Sequence, residues 1–501
     1  MPLNSIGRGS ELATPTVKMT QGESLRGEVA ALASFQRSEP DAGRLAKRLA
    51  SALRRLIDQP GWKSLEKQVV RSATGGVQPV LVEVHGLGPR STFDERGLAK
   101  WLGRVVKTAQ REGRREITII LPDHPVAHGR RALRILLQLL MSGYRFDRFR
   151  TSRPRPSVRT INLLPPADED GNYEQALGLA RGIARGIVLA RNLGNTPPNE
   201  ATPKWMAEQA SGLAEKWGLD CRILDEKDLQ DRGMGGILAV GGGSANSPRM
   251  VRLEWGAGEE VTSFVGKGVT FDTGGISIKP SRAMEEMKYD KCGACTVLGI
   301  SQAVAELGLP GRYRVYLPFV ENMPDGAAYR PADIVKCYNG KTVEILDTDA
   351  EGRMILADAL AWAAEEKPTS LVELSTLTGA SVIALGHEGA ALYCPDDALS
   401  DELQRASSSS GERLWRMPLW PEFAEEMKGV HADLRNLGSR WGGANNAAAF
   451  LGSFVGRTKR WAHLDIAATA YRASRKGHVS GATGFGVALA LNWLLERTDR
   501  F

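Results

Sequence analysis

Three carboxylates and a guanidinium fall within seven residues at Asp347-Thr348-Asp349-Ala350-Glu351-Gly352-Arg353. Asp, Thr and Gly are also ordinary turn and cap residues, so this run alone reads equally well as an acidic turn capping the helix after it. A second stretch shifts the balance. Val265 to Lys279 sets Lys267, Asp272 and Lys279 among glycines, and Asp290 follows shortly after. Glycines there let backbone approach a bound group closely and adopt positive φ. Brought together, Asp272, Asp290, Asp349 and Glu351 are four carboxylates accompanied by two or three cations. Buried without such company they would repel one another strongly, so something positive must sit among them. Two divalent ions balance four carboxylates in formal charge, and Mn²⁺, Zn²⁺ or Mg²⁺ accept such oxygen ligands. The chemistry expected is hydrolysis at a two-metal site.

The elements around these residues must bring them together. Val343 to Leu346 reads as a strand and Met354 to Glu366 as a helix, which puts the acidic run in a strand-to-helix turn. Open α/β sheets place their ligands at such carboxyl ends. The histidines do not contribute: His85, His124, His128, His387, His431, His463 and His478 include no H-E-x-x-H and no ligand-spaced pair near the acidic runs. His463, within Trp461-Ala462-His463-Leu464-Asp465, reads as strand and core. A metal site in this chain is therefore carboxylate-built.

With 501 residues the chain exceeds the ~250–300 at which single cores stop growing, so two domains are expected. Apolar content of 42% and charged content of 25% describe a globular protein. No run of ~18 uncharged apolar residues suggests a membrane span, and Met1 to Ile6 lack the basic and apolar segments of a secretory signal. Five scattered cysteines cannot form a disulfide framework in so long a chain and suit a reducing cytoplasm. Cys292-Gly293-Ala294-Cys295 has C-x-x-C spacing, but it lies in a Gly/Ala-rich helical run and reads as helix packing. The net charge of +7 hides an asymmetry: residues 1–160 carry 29 basic and 14 acidic side chains, hence +15, and the remainder is at −8. A basic front third attracts nucleic acid or anionic surfaces, although exposed Arg on amphipathic helices gives the same count.

Along the chain, Ala42 to Ile57 places Leu45, Leu49, Leu53 and Leu56 at helical spacing. Strands are expected at 80–84, 117–121 and 160–164 and helices at 98–109 and 132–141, an alternation that argues for a largely parallel α/β layer. Arg153-Pro154-Arg155-Pro156 reads as an extended basic connection. A long amphipathic helix over 173–193, ended by Gly194 and Pro197-Pro198, bridges into a second domain, so the domains are read as 1–170 and 171–501. Helix 203–217 and strands 219–224, 249–255 and 261–266 then lead to the Lys267 segment. Gly241-Gly242-Gly243-Ser244 lacks a following Gly-Lys-Ser/Thr and is no P-loop.

Asp347-Thr348-Asp349-Ala350-Glu351-Gly352-Arg353 is similar to the N-T-D-A-E-G-R signature of the leucyl (cytosol) aminopeptidases, peptidase family M17. Val265–Lys279, Met287-Lys288-Tyr289-Asp290, Ser375-Thr376-Leu377-Thr378-Gly379-Ala380, Trp461–Ala467 and Asn195-Thr196-Pro197-Pro198-Asn199 resemble further segments of that family, in the same order. The resemblance covers about residues 175–495; residues 1–160 fit only in broad pattern. It implies a smaller N-terminal α/β (macro-like) domain and a larger catalytic domain with a mixed central sheet flanked by helices. It also implies a homohexamer of two stacked trimers, with the catalytic domains inside.

The activity implied is removal of the N-terminal residue, leucine-like by preference, from peptides with a free N-terminus. Lys267, Asp272, Asp290 and Glu351 would hold one ion; Asp272, Asp349 and Glu351 would hold the other. Lys267 would ligate as a neutral amine. Lys279 would polarise the scissile carbonyl, and Arg353 would hold a (bi)carbonate acting as general base toward a water activated by the metals. Met287, Thr376, Gly379 and Ala482 match the pocket for the first side chain, and the Leu377 carbonyl would help position substrate. Three departures stand out. Asp347 replaces the family's Asn, to tune metal affinity or to hydrogen-bond to its turn. Thr273 replaces Ser, and Phe485-Gly486 replaces the Arg-Pro that often follows Ala-Thr-Gly. Two other classes compete: a DNA-binding role of the basic front domain, added to peptidase activity in some bacterial members of the family, and a two-metal phosphoesterase. A lysine ligand and a pocket for a free amine do not suit the latter.

Overall fold

The computed structural model describes residues 15–20, 26–35, 56–58, 63–74, 79, 81–127, 129, 131–152, 158–166, 169–473 and 481–498. The chain divides into two compact units, residues 7–184 and 185–501, and the division falls inside the helix Asp170–Asn195.

In residues 7–184, Val29–Ser34 is buried along its whole length, as a strand covered on both faces requires. It lies within a six-stranded sheet whose order is Thr16–Met19, Thr160–Leu164, Glu116–Ile120, Val29–Ser34, Leu81–Gly86, Val69–Ala73. Every pairing is parallel except the last. Helix Glu95–Arg111 turns Leu98, Leu102, Val105, Val106 and Ala109 inward, and Asp94 caps it by accepting the Gly97 N–H at 2.8 Å. Helix Arg131–Met141 buries its leucines likewise. The alternating α/β reading of this region holds. Of the helix expected over 42–57 only Leu56 and Ile57 are described, both helical; the rest, and Arg153–Pro156, lie outside the described residues.

Residues 185–501 are organised on a nine-stranded mixed sheet. Its centre is four parallel strands, Trp461–Asp465, Ser370–Ser375, Val261–Gly266 and Arg312–Asn322. Antiparallel neighbours flank them: Ala390–Tyr393 on one side, and Arg249–Gly256 followed by Asp220–Leu224 on the other. Gly268–Asp272 extends beside the last residues of Arg312–Asn322. The sheet's parallel centre matters for function, because four carboxyl ends meet there. They deliver Asp465, Thr376, Lys267 and Asn322 to one edge, where α/β sheets bind ligands.

Helix Cys292–Leu307 packs against Val261–Gly266 at very close range. A Cβ on Gly293 would stand 2.2 Å from the Leu374 carbonyl oxygen and 2.9 Å from the Lys267 nitrogen, so only glycine fits. Cys292 and Cys295 are buried free thiols in that helix, in keeping with a packing role.

The acidic run sits between a strand and a helix, with two adjustments. Its strand, Thr342–Glu344, belongs to a separate three-stranded sheet with Ile334–Lys336 and Leu434–Arg435. Its helix begins at Glu351 rather than Met354 and runs to Glu365. Glu351, Gly352 and Arg353 therefore occupy the first turn, where a carboxylate is favoured by the helix dipole. Met354, Ile355, Leu356, Ala359 and Leu360 are fully buried on different sides of this helix, as a helix apolar all round must be. Among the described residues no helix is long and apolar enough to cross a membrane.

Candidate metal centre

Three buried carboxylates converge at the edge of the central sheet. Asp272 ends Gly268–Asp272, Asp290 follows the 3₁₀ helix Met284–Tyr289, and Glu351 opens its helix; each offers an oxygen within 4.8 Å of the others. Lys267, 2% exposed, stands among them. Its Nζ lies 2.7 Å from Asp290 Oδ2 and 2.8 Å from Glu351 Oε1, and donates to the Thr376 carbonyl at 3.0 Å. Thr376 Oγ1 in turn donates to Asp290 Oδ1 at 2.7 Å. Lys279 reaches the cluster from its more open side, 2.8 Å from Asp272 Oδ2 and in a short contact with Asp349 Oδ1. Asp349 is outside the three-carboxylate group and is joined to it through Lys279.

The electrostatics describe a site short of positive charge. Burial, then repulsion from Glu351 and Asp272, pushes Asp290 up to about 7 despite Lys267. Burial and the same kind of repulsion bring Asp349 to about 7 and raise Asp272. Glu351 goes down: burial opposes its charge, but Lys267 and Lys279 outweigh it. Burial would neutralise Lys267, yet Asp290, Glu351 and Asp272 hold it firmly protonated. Carboxylates that need more cation than two lysines supply are a donor set suited to hard divalent ions.

Arg353 is 7% exposed and donates through Nη1 to the Asn436 carbonyl at 2.8 Å, while its Nε is buried with no partner. Burial brings this guanidinium down to about 10. Asp347 Oδ1 accepts the Asp349 N–H at 2.8 Å, the turn bond that was one of its two expected uses. Thr273 Oγ1 donates to the Asn322 carbonyl at 2.8 Å. Gly486 takes φ 99°, which a proline could not adopt.

The residues expected to bind substrate are placed less uniformly. Thr376 is bonded into the carboxylate cluster, and Leu377 follows it with its N–H donating to Asp465 Oδ1 at 3.2 Å. Met287 is half-buried in the 3₁₀ helix leading to Asp290, and Gly379 opens the helix Gly379–Leu385. Ala482 is linked to the cluster only indirectly: its N–H donates to Asn195 Oδ1, and buried Lys291, next to Asp290, donates to the Thr196 carbonyl. His463 is fully buried in its strand, paired with Glu373 and stacked on Tyr393, as a core residue would be.

Four residues that the sequence did not single out support the site. Asp465 accepts the Thr378 hydroxyl at 2.6 Å and thereby fixes the 376–378 loop. Asn436 brackets the acidic turn, accepting the Leu346 N–H at 2.8 Å and donating to the Asp347 carbonyl at 2.6 Å. Asn322 and Tyr329 both donate to the Thr348 carbonyl. Asn436, Asn322 and Tyr329 carry no spacing signal, and Asp465 lies in the Trp461–Ala467 segment with no role read from it there.

A carboxylate cluster with a lysine at its heart, on the carboxyl edge of a mixed α/β sheet, defines a metallohydrolase-type site. Residues 188–491 match the family described as cytosol aminopeptidase family, catalytic domain (Peptidase M17), and the chain belongs to that family. It is 42% identical over 430 residues to a protein of Dechloromonas aromatica named probable cytosol aminopeptidase, covering 83% of this chain and 84% of that one. A protein of the same name from Syntrophotalea carbinolica is 40% identical over 464 residues, covering 90% and 92%. Among solved structures, the bottromycin maturation enzyme BotP in complex with Mn superposes with a TM-score of 0.80 at 33% identity, over 94% of this chain and all of that one. The protein is thus a metal-dependent aminopeptidase, and peptides are its substrates.

Proposed function

We propose that the protein removes leucine-like N-terminal residues from peptides with a free N-terminus at a centre of two divalent ions. The observation that carries this is the buried meeting of Asp272, Asp290 and Glu351 around Lys267. In the proposal Lys267, Asp272, Asp290 and Glu351 hold one ion and Asp272, Asp349 and Glu351 the other. Mn²⁺ is supported by the manganese in the BotP complex; Zn²⁺ and Mg²⁺ suit the same oxygens. When bound, the ions acidify a water and anchor the free α-amine. Lys267 then ligates as a neutral amine, since adjacent dications reverse the balance that otherwise keeps it protonated. Lys279, on the more open side of the cluster with 21% of its side chain exposed, stays cationic and stabilises the developing oxyanion. The unpartnered Nε of Arg353 supports (bi)carbonate holding there, which would supply a general base toward the attacking water. Met287, Thr376, Gly379 and Ala482 line the pocket for the first side chain, and the Leu377 carbonyl orients the peptide.

We assign the limits 1–170 and 171–501 to the two domains on the same footing, with the assembly a cytoplasmic homohexamer; a monomer by light scattering refutes that assembly. Leucine p-nitroanilide hydrolysis, stimulated by Mn²⁺ and abolished by Glu351→Ala, tests the activity. Full activity in that variant overturns the site, and preference for a phosphoester would favour the phosphoesterase reading. The +15 charge of residues 1–160 supports a second, DNA-binding role. A salt-dependent gel shift, lost on reversing basic residues of that region, tests it; no shift at ~50 mM salt refutes it.

A further inference from the structure

We propose that Asn322 is the positioning residue that sets the spacing between the two metal-bearing segments, 272–279 and 347–351; the inference rests on the two-metal reading above. Asn322 ends the central strand Arg312–Asn322 and is fully buried. Its Nδ2 donates to Asp272 Oδ1 at 2.8 Å and to the Thr348 carbonyl at 3.0 Å. Both partners are acceptors, so only the amide nitrogen, with its two hydrogens, can face them. Its backbone carbonyl also accepts Thr273 N–H at 3.0 Å and Thr273 Oγ1 at 2.8 Å. One residue therefore grips the first segment by backbone and side chain and reaches the second with the same amide.

Simple satisfaction of buried acceptors does not account for this. Asp272 Oδ1 already receives the Gly274 N–H at 2.9 Å, and the Thr348 carbonyl already receives the Tyr329 hydroxyl at 2.7 Å. Neither needs Asn322 as its only donor. The Oδ1 of Asn322 is itself buried with no partner, a cost to stability that hydrogen-bond bookkeeping does not explain. What Asn322 adds is a rigid link from Asp272 to the residue before Asp349. Thr348 Oγ1 reinforces that link, donating to the Gly274 carbonyl at 2.6 Å and accepting the Ser277 N–H at 2.8 Å. An aspartate at 322 would set an oxygen against two acceptors, so the amide is required.

The test is Mn²⁺ titration of metal-stripped full-length protein, read by equilibrium dialysis, by leucine p-nitroanilide hydrolysis and by metal-free melting. Asn322→Ala is expected to need at least about tenfold more Mn²⁺ for half occupancy. Added Mn²⁺ should restore much of its kcat with KM unchanged, and its metal-free melting should move little, because no acceptor is orphaned. Wild-type Mn²⁺ binding by Asn322→Ala overturns the proposal. If that variant does not fold, Asn322→Ser decides, because one short hydroxyl cannot serve both acceptors: a several-fold rise in the Mn²⁺ requirement supports the link, and a wild-type requirement overturns it. Asp272→Asn is measured alongside. Unchanged Mn²⁺ binding there means the two-metal reading has failed, whereas loss there with none in Asn322→Ala sinks the Asn322 proposal alone.

Discussion

Gly352 lies under the Lys267 amine, and a single methyl group there must displace that amine from the carboxylate cluster. A Cβ at this position would stand 2.5 Å from Lys267 Cε and 2.6 Å from Nζ. Carbon contacts settle near ~3.5–4 Å, so in Gly352→Ala the end of Lys267 must retreat by roughly 1 Å. Its Nζ is held at 2.7 Å by Asp290, 2.8 Å by Glu351 and 3.0 Å by the Thr376 carbonyl. A shift of that size stretches at least one of these charged contacts, each worth ~1.5–3 kcal/mol. Metal affinity should therefore fall by on the order of 10–100-fold. The same contact is stretched in the metal-free protein, and the helix advantage of alanine over glycine, up to ~1 kcal/mol, offsets only part of it, so metal-free stability should fall by roughly 0.5–2 kcal/mol. Titrating Mn²⁺ into the stripped variant, with hydrolysis and thermal melting followed together, measures both. Wild-type metal affinity and turnover in Gly352→Ala would refute the claim that Lys267 must sit where it does.

Three further outcomes follow from the same geometry. Arg353→Ala should lower kcat by on the order of 10²-fold with KM little changed, as loss of a held base requires; kcat within twofold of wild type in steady-state assays contradicts it. Mn²⁺ at ~100 times its dissociation constant should stabilise the protein by ~2.7 kcal/mol per site, read by chemical denaturation, and Glu351→Ala should lose most of that gain. Asp358 is fully buried and accepts the N–H groups of Ile237 at 2.9 Å and Tyr338 at 2.8 Å, yet burial outweighs these donors and raises it from 3.8 to about 7. Because the folded value is above the unfolded one, its contribution is fully present below pH ~4 and is lost as pH rises toward ~7, by roughly 4 kcal/mol at most. The slope of denaturation free energy against pH across that window should flatten in Asp358→Asn; an unchanged slope refutes the assignment.

The parts of the site that were legible in the sequence are those written in contiguous, chemically loaded runs. Asp347–Arg353 and Val265–Lys279 announce themselves because several charges crowd among glycines, which ordinary cores avoid. The same logic made Cys292 and Cys295 readable as packing, since no second pair accompanies them. Where a helix starts is a weaker signal: Glu351 opens its helix three residues before the apolar run at Met354, since the first turn needs no apolar side chain of its own. The strand before the acidic turn was visible, but its membership of a small separate sheet was not, because pairing partners such as Leu434 lie about ninety residues away. Asn322, Tyr329, Asn436 and Asp465 escaped for a related reason. Each acts through hydrogen bonds made across the fold to partners distant in sequence, and such bonds leave no periodic pattern.

If this carboxylate cluster works only as a two-ion centre, activity must follow the number of metal ions bound. Elemental analysis of stripped protein, with Mn²⁺ returned stepwise, should show leucine p-nitroanilide hydrolysis rising from none and levelling off at two bound ions per chain. Full hydrolysis by stripped protein held in excess chelator would show that the cluster does not need its ions.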